Sequence, residues 1–235
     1  DQHRLDGVPV LPAAVALELM AEAAAVLWPD WQVTEVSEFR LLKGVTFEND
    51  APRAVEVHLL GSEHGDASGF TASAEMRTAG TPPLIHYRAT LRFADRLPAT
   101  TVWNEALSPA PSPLAARDAY RELLFHGPAF QTVRRLIGLD RQGIVADAAP
   151  SEPQEFLRDG LGAAAWLFDP GLVDSGPQLA LVWSKLLRGH SALPHRFASV
   201  RRFGGAGPVR RLLFTPRDGV ETEVQADVAF VDAYD

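Results

Sequence analysis

The segment from Pro12 to Trp28 (PAAVALELMAEAAAVLW) is apolar except for Glu18 and Glu22. Val15, Leu19, Ala23 and Leu27 recur at the helical repeat, and Met20, Ala24 and Trp28 run beside them. Pro12 suits the first residue of a helix, where its missing N–H forfeits no bond, and Pro29 with Asp30 stops it. A helix apolar nearly all round has to be enclosed by other elements. Two glutamates and a length below the roughly 20 apolar residues of a bilayer span rule out a membrane helix.

The next segments supply the enclosure. Val33 to Phe47 reads as one long or broken strand bent at Gly44, and Val55–Leu60, Gly69–Thr78 and Ile85–Phe93 alternate with period two. Turn residues fill Gly61 to Gly69 and Gly80 to Pro83. Pro98 to Pro113 has four prolines and no periodicity, which is linker composition. Beyond it the order of elements returns. A short helix is expected over Leu114–Leu124, strands over Phe130–Leu139 and Gly143–Ala148, a second densely apolar helix at Leu179–Leu187, and strands over Pro208–Thr215 and Glu221–Val231. No residue-level repeat accompanies this rhyme. The expected class is α+β, with residues 1–98 and 114–235 each wrapping a sheet round a helix and 99–113 joining them. This is a hot-dog arrangement made twice, with Pro12–Trp28 and about Pro177–Leu187 as the central helices.

Composition removes several function classes. The formal net charge of −8 argues against a nucleic-acid partner. Without cysteine there is no disulfide, no cysteine zinc site and no thiol nucleophile. No segment reads as a signal peptide or membrane span, so the cytoplasm is the expected compartment.

Three stretches are candidates for chemistry. HRLDGVPVLP places His3, Gly7 and Pro12 at H-x-x-x-G-x-x-x-x-P spacing; FHGPAFQ spans Phe125 to Gln131; and DPGLVDSGPQ places Asp174 and Gln178 four residues apart. His58, His64, His86, His190 and His195 share no metal-ligand spacing, and no metal is expected. Arg201, Arg202, Arg210 and Arg211 form the single basic concentration, either a solvated face or a landing site for an anion.

The three stretches, in this order across almost the whole chain, resemble the dehydratase domains of polyketide synthases and related megasynthases. The family's first motif, HxxxGxxxxP, is matched by His3, Gly7 and Pro12. Its middle motif is usually YGPxFQ, with His126 here in place of the tyrosine and Gly127 kept. Its last motif, DxxxQ or DxxxH, is matched by Asp174 and Gln178, and Leu193–Phe197 (LPHRF) is also similar to a family stretch. Ala13 stands where the family has glycine. The wording is similar to that of iterative synthases of the polyunsaturated or enediyne kind. Family members carry at least one strand before the first motif, so this chain reads as a piece of a larger polypeptide.

The resemblance implies a double hot-dog with one active site between its halves, which removes water from a 3-hydroxyacyl thioester and leaves the 2,3-enoyl thioester. It implies no cofactor of the domain's own. The substrate rides on the phosphopantetheine of an acyl carrier protein, and the partners are that carrier and the other domains of the synthase, with a homodimer as a further option. His3 suits the base that takes the α-proton. Asp174 suits the acid that protonates the leaving hydroxyl, if burial raises its pKa. A helix expected to begin just after Asp174 favours the carboxylate, and burial is expected to outweigh it. Gly7 is expected to permit a tight turn and close approach of the thioester. Gln178 is read as a support, His126 as structural, and Tyr120 and Phe130 as packing. The arginines, if functional, are expected at the mouth of a substrate tunnel, holding the phosphopantetheine phosphate. The rival readings are a product-template cyclase on the same fold, a non-catalytic acyl-chain-binding or docking module, and, more distantly, a hot-dog thioesterase.

Overall fold

The structure, a computed structural model, describes residues 2–61, 69–103, 106–156, 165–217 and 223–232; His64, most of the turn expected at Gly61–Gly69 and the expected strand start at Glu221 lie outside them. The chain opens with a hairpin of β1 (Arg4–Leu5) and β2 (Val8–Pro9), closed by Asp6 and Gly7 with φ of 50° and 82°. Positive φ at both turn residues is the geometry that Asp-Gly supplies in a two-residue hairpin. Val10 N donates back to His3 O at 3.1 Å. The spacing from His3 through Gly7 to Pro12 is thus the length of one hairpin and the approach to a helix. Pro12 is extended (φ −61°, ψ 143°), so it precedes helix α1 (Ala13–Leu27) instead of opening it.

The remaining elements are β3 (Gln32–Leu41), β4 (Glu56–Gly61), β5 (Gly69–Thr78), β6 (Leu84–Ala94), α2 (Ala116–Glu122), β7 (Val133–Asp140), β8 (Gly143–Ala148), α3 (Pro153–Phe156), α4 (Pro170–Arg188), β9 (Arg196–Arg201), β10 (Arg211–Arg217) and β11 (Gln225–Val231). Apart from the hairpin they form two antiparallel sheets, ordered β4-β5-β6-β3-β9 and β11-β10-β8-β7. In β6, Tyr87, Ala89, Leu91 and Phe93 face inward while Arg88 and Arg92 face solvent, the alternation of a sheet with one wet side. The five-stranded sheet closes on α1 through Leu17, Met20, Val36, Phe39, Met76 and Phe93. The four-stranded sheet closes on α4 through Leu179, Val182, Trp183, Ile144, Leu212 and Phe214. The two helices also pack against each other.

Four expectations need correction. Helix α1 is not enclosed all round: Ala13, Leu17, Met20 and Ala24 are buried, but Leu19, Val26 and Leu27 are exposed, Val26 to 81%. The first long strand ends at Leu41, and its irregularity is at Glu38 (φ 49°), where the register with β6 shifts, not at Gly44. Helix α4 begins at Pro170, so Asp174 lies inside it. Finally, β9 comes from the second half of the chain but pairs with β3 of the first, Phe197 opposite Phe39. The two sheets therefore do not divide at the proline-rich linker.

Candidate active site

The N-terminal segment crosses to the other half of the fold. Gly127 N donates to Gln2 O at 2.7 Å, Ala129 N donates to Gln2 Oε1 at 3.2 Å, and His3 and His126 form an antiparallel bridge. Gly127 makes this possible. A Cβ there would lie 2.5 Å from Gln2 Oε1 and 2.9 Å from Gln2 Cα, closer than real contacts allow. The glycine of FHGPAFQ is thus a docking surface for the first motif. The His3 ring meets His126 and Phe125 edge-on, with centroids 5.2 and 4.9 Å apart.

From the other side comes α4. Asp169 caps it: Oδ1 accepts from Gly171 N (2.9 Å) and Leu172 N (3.1 Å), and Oδ2 accepts from Ser151 N (2.8 Å). Gly171 allows Ser151 and Thr132 to press against this turn, since a Cβ would lie 2.8 Å from each. The helix start is thus set before Asp174, which sits further along, away from the strongest pull of the helix N-terminus. Asp174 Oδ2 accepts from His126 Nε2 at 3.1 Å and from Gln178 Nε2 at 2.9 Å. Gln178 is itself fixed: it donates to Phe130 O (3.0 Å) and accepts from the Tyr120 hydroxyl (2.8 Å).

His3, His126, Gly127, Asp174 and Gln178 are thereby brought to one place. A ring nitrogen of each histidine and a carboxylate oxygen of Asp174 lie within 4.8 Å of one another. Among the described residues no other such group of three histidine or acidic side chains occurs. His126, Asp174 and Gln178 are joined by hydrogen bonds and the His3 ring lies against them, an arrangement suited to moving protons. Gly7 and Pro12 lie outside this cluster and act through the hairpin that carries His3; a Cβ on Gly7 would meet nothing within 4 Å, so its role is the positive φ.

Electrostatics separates the partners. Burial pushes the His3 imidazole below its ordinary 6.5; the Asp174 charge pulls it up and the His126 charge pushes it down. His3 is therefore neutral at neutral pH, the form a base needs. For Asp174, burial pushes upward, but the hydrogen bond and charge of His126, the Gln178 amide and the charge of His3 together hold it below its ordinary 3.8. The expectation that burial would keep this carboxyl protonated is overturned: two donors aimed at one oxygen outweigh desolvation. Two supports had no signal in sequence. Tyr120, whose phenol burial pushes well above its ordinary range, looks like any packed helix residue. Glu18 looks like a polar break in an apolar run, yet both its oxygens are used, accepting from Leu167 N and Phe168 N at 2.6 Å just before α4.

A family model described as the polyketide synthase dehydratase N-terminal domain matches residues 98–235, more than half of the chain, and one described as the polyketide synthase dehydratase domain matches residues 1–74. The chain belongs to the polyketide synthase dehydratase domains. Among proteins similar to this dehydratase domain is a polyunsaturated fatty acid synthase subunit from a Thraustochytrium species, 28% identical over 89% of this chain, which spans 7% of that relative's length. Among solved structures, the dehydratase domain of a mycocerosic acid synthase-like polyketide synthase superposes with a TM-score of 0.72 at 19% identity, covering 99% of this chain and 79% of that one. The dehydratase domain of PpsC from Mycobacterium tuberculosis gives 0.72 at 21% identity, covering 99% and 81%. That of the CurF module of curacin polyketide synthase gives 0.70 at 17% identity, covering 98% and 81%. These likenesses show the fold, the double hot-dog.

The four arginines do not join the cluster. Arg201 pairs with Glu35 at 3.4 Å. Arg202 donates to Val33 O at 2.9 Å and lies over the Phe168 ring, with its charge felt at Glu18. Arg211 reaches Asp147 at 3.4 Å. Arg210 is exposed, and its backbone is held by Val231 and Ala148. No helix among the described residues is long and apolar enough to cross a membrane.

Proposed function

We propose that this dehydratase domain removes water from 3-hydroxyacyl thioesters presented on the phosphopantetheine of an acyl carrier protein within a larger synthase, leaving the 2,3-enoyl thioester. The observation that carries the reading is the meeting of His3 and Asp174, from the two halves of the chain, within 4.8 Å. The thioester carbonyl makes the α-proton acidic, and neutral His3 takes it. The β-hydroxyl leaves as water only if a proton reaches it, and the Asp174–His126 pair supplies that half of the reaction. A related dehydratase domain, that of PpsC, has been solved with C12:1-CoA, an acyl thioester of pantetheine, which supports the substrate class.

The test is incubation with 3-hydroxybutyryl thioester on a carrier or on pantetheine, with mass spectrometry for loss of one water. The enoyl thioester is expected. His3→Ala is expected to lose at least about 100-fold in kcat/KM, the usual contribution of a positioned base. An aromatic product from a polyketone chain would favour the cyclase reading, and binding without turnover the docking-module reading.

A further inference from the structure

Resting on that reading, we propose that His126 is a further catalytic residue: it carries the proton given to the leaving hydroxyl, while Asp174 stays ionised and holds His126 in place. The geometry points there in three ways. The side chains of His126 and Asp174 are each only 4% exposed and lie 3.1 Å apart, and a buried carboxylate is stable when a donor compensates it. Asp174 Oδ2 takes N–H bonds from both His126 and Gln178, an arrangement that favours the carboxylate over the acid. With Nε2 spent on Asp174, His126 Nδ1 is buried and has no hydrogen-bond partner among the described residues, and the same holds for His3 Nδ1 on the facing ring. Buried ring nitrogens without a protein partner on two rings of one cluster are the atoms left to meet a ligand's polar groups.

The step balances. The α C–H bond breaks and its proton goes to His3. Its electron pair becomes the new double bond as the β C–O bond breaks, and the oxygen leaves as water with the proton carried on His126 Nδ1, while Nε2–H stays on Asp174. His3 then carries the extra proton and His126 lacks one. The water just formed, lying between the two rings, relays that proton from His3 to His126 and restores the starting state without net proton exchange. The titratable groups that face His126 are His3 on the bridged strand segment and Asp174 on α4, with Tyr120 behind them through Gln178.

The deciding variant is His126→Tyr, which puts the residue of the usual YGPxFQ motif into this site. A tyrosine keeps a donor for Asp174 but is a poor proton source near neutrality. If His126 is the acid, this variant stays folded by thermal melt and loses about 100-fold or more in kcat/KM on the 3-hydroxybutyryl thioester, with the loss in kcat and KM within about threefold of the parent. Activity within about fivefold of the parent, or a loss confined to KM, overturns the inference. Should His126→Tyr fail to fold, His126→Gln takes its place under the same criteria. A parent that does not dehydrate this substrate overturns the functional reading itself, which is a different result from an active parent indifferent to position 126.

Discussion

His3 is held by contacts that lie far away in sequence, so its chemistry depends on residues without any reactive group. Gly127 is the clearest. Adding a methyl there pushes on Gln2 backbone and side chain, and forced overpacking of this kind costs about 1–3 kcal/mol. Because the segment displaced leads into a two-stranded hairpin that lies outside both large sheets, Gly127→Ala is expected to release Gln2 and His3 more than to unfold the domain. Activity should fall by more than tenfold while the melting temperature shifts little; a variant that melts early but keeps full turnover per folded molecule would contradict this. His3 also sets a pH limit. Its imidazole is held below 6.5, chiefly by burial, so it is the protonation of His3 on acidification that removes the base. The acid limb of kcat/KM is expected to fall below 6.5 in the parent. An acid limb above that value would mean that another group is the base. The residues themselves were legible as a set of three motifs. The roles of Gly127 and Tyr120 were not, because a docking glycine and a buried phenol become distinctive only when the other half of the fold is beside them.

At the scale of elements, period-two alternation marked β5 and β6 well, because each has one buried face. It could not mark β9: RFASVR lies at a sheet edge with few buried residues, and its partner strand is far away in the chain. Helix α4 hid its start for a related reason. Ser175, Gly176 and Pro177 look like a helix beginning, yet Asp169 and Pro170 supply the cap and first turn, and the helix runs through Pro177. The segment leading into that helix is tied to α1 through Glu18, which accepts from Leu167 N and Phe168 N. Burial raises the Glu18 carboxyl from 4.5 to about 7, against the bonds from Phe168 and Leu167 and the charge of Arg202. A raised carboxyl binds its proton more tightly folded than unfolded. The resulting stabilisation is full below 4.5 and is lost as pH rises to about 7. The difference corresponds to roughly 3 kcal/mol. Chemical denaturation at about pH 5 and about pH 8, either side of most of that window, should show this loss in the parent and a flatter profile in Glu18→Gln, whose amide does not titrate. Parallel profiles for the two proteins would show that Glu18 is charged throughout.

The whole molecule carries a net charge of −8, so an acidic carrier approaches against repulsion unless some cation offers a local landing point. Of the four arginines, Arg202 and Arg211 are partly buried and spend their guanidinium groups on Val33 and Asp147. Arg201 is exposed but already beside Glu35. Arg210 is exposed, with its backbone carbonyl and N–H locked into the β8–β10–β11 sheet, and its side chain has no carboxylate partner among the described residues. A substitution there changes charge without disturbing the ladder. If this arginine meets the phosphopantetheine phosphate or the carrier surface, Arg210→Glu should weaken turnover of carrier-bound substrate by about tenfold or more, with the loss in KM and diminished at high salt. Turnover of an N-acetylcysteamine thioester, which has neither phosphate nor carrier, should stay within about twofold of the parent, as expected for a surface change away from the chemistry. Equal losses on both substrates would place Arg210 in support of the fold, and no loss on either would return it to the solvated face.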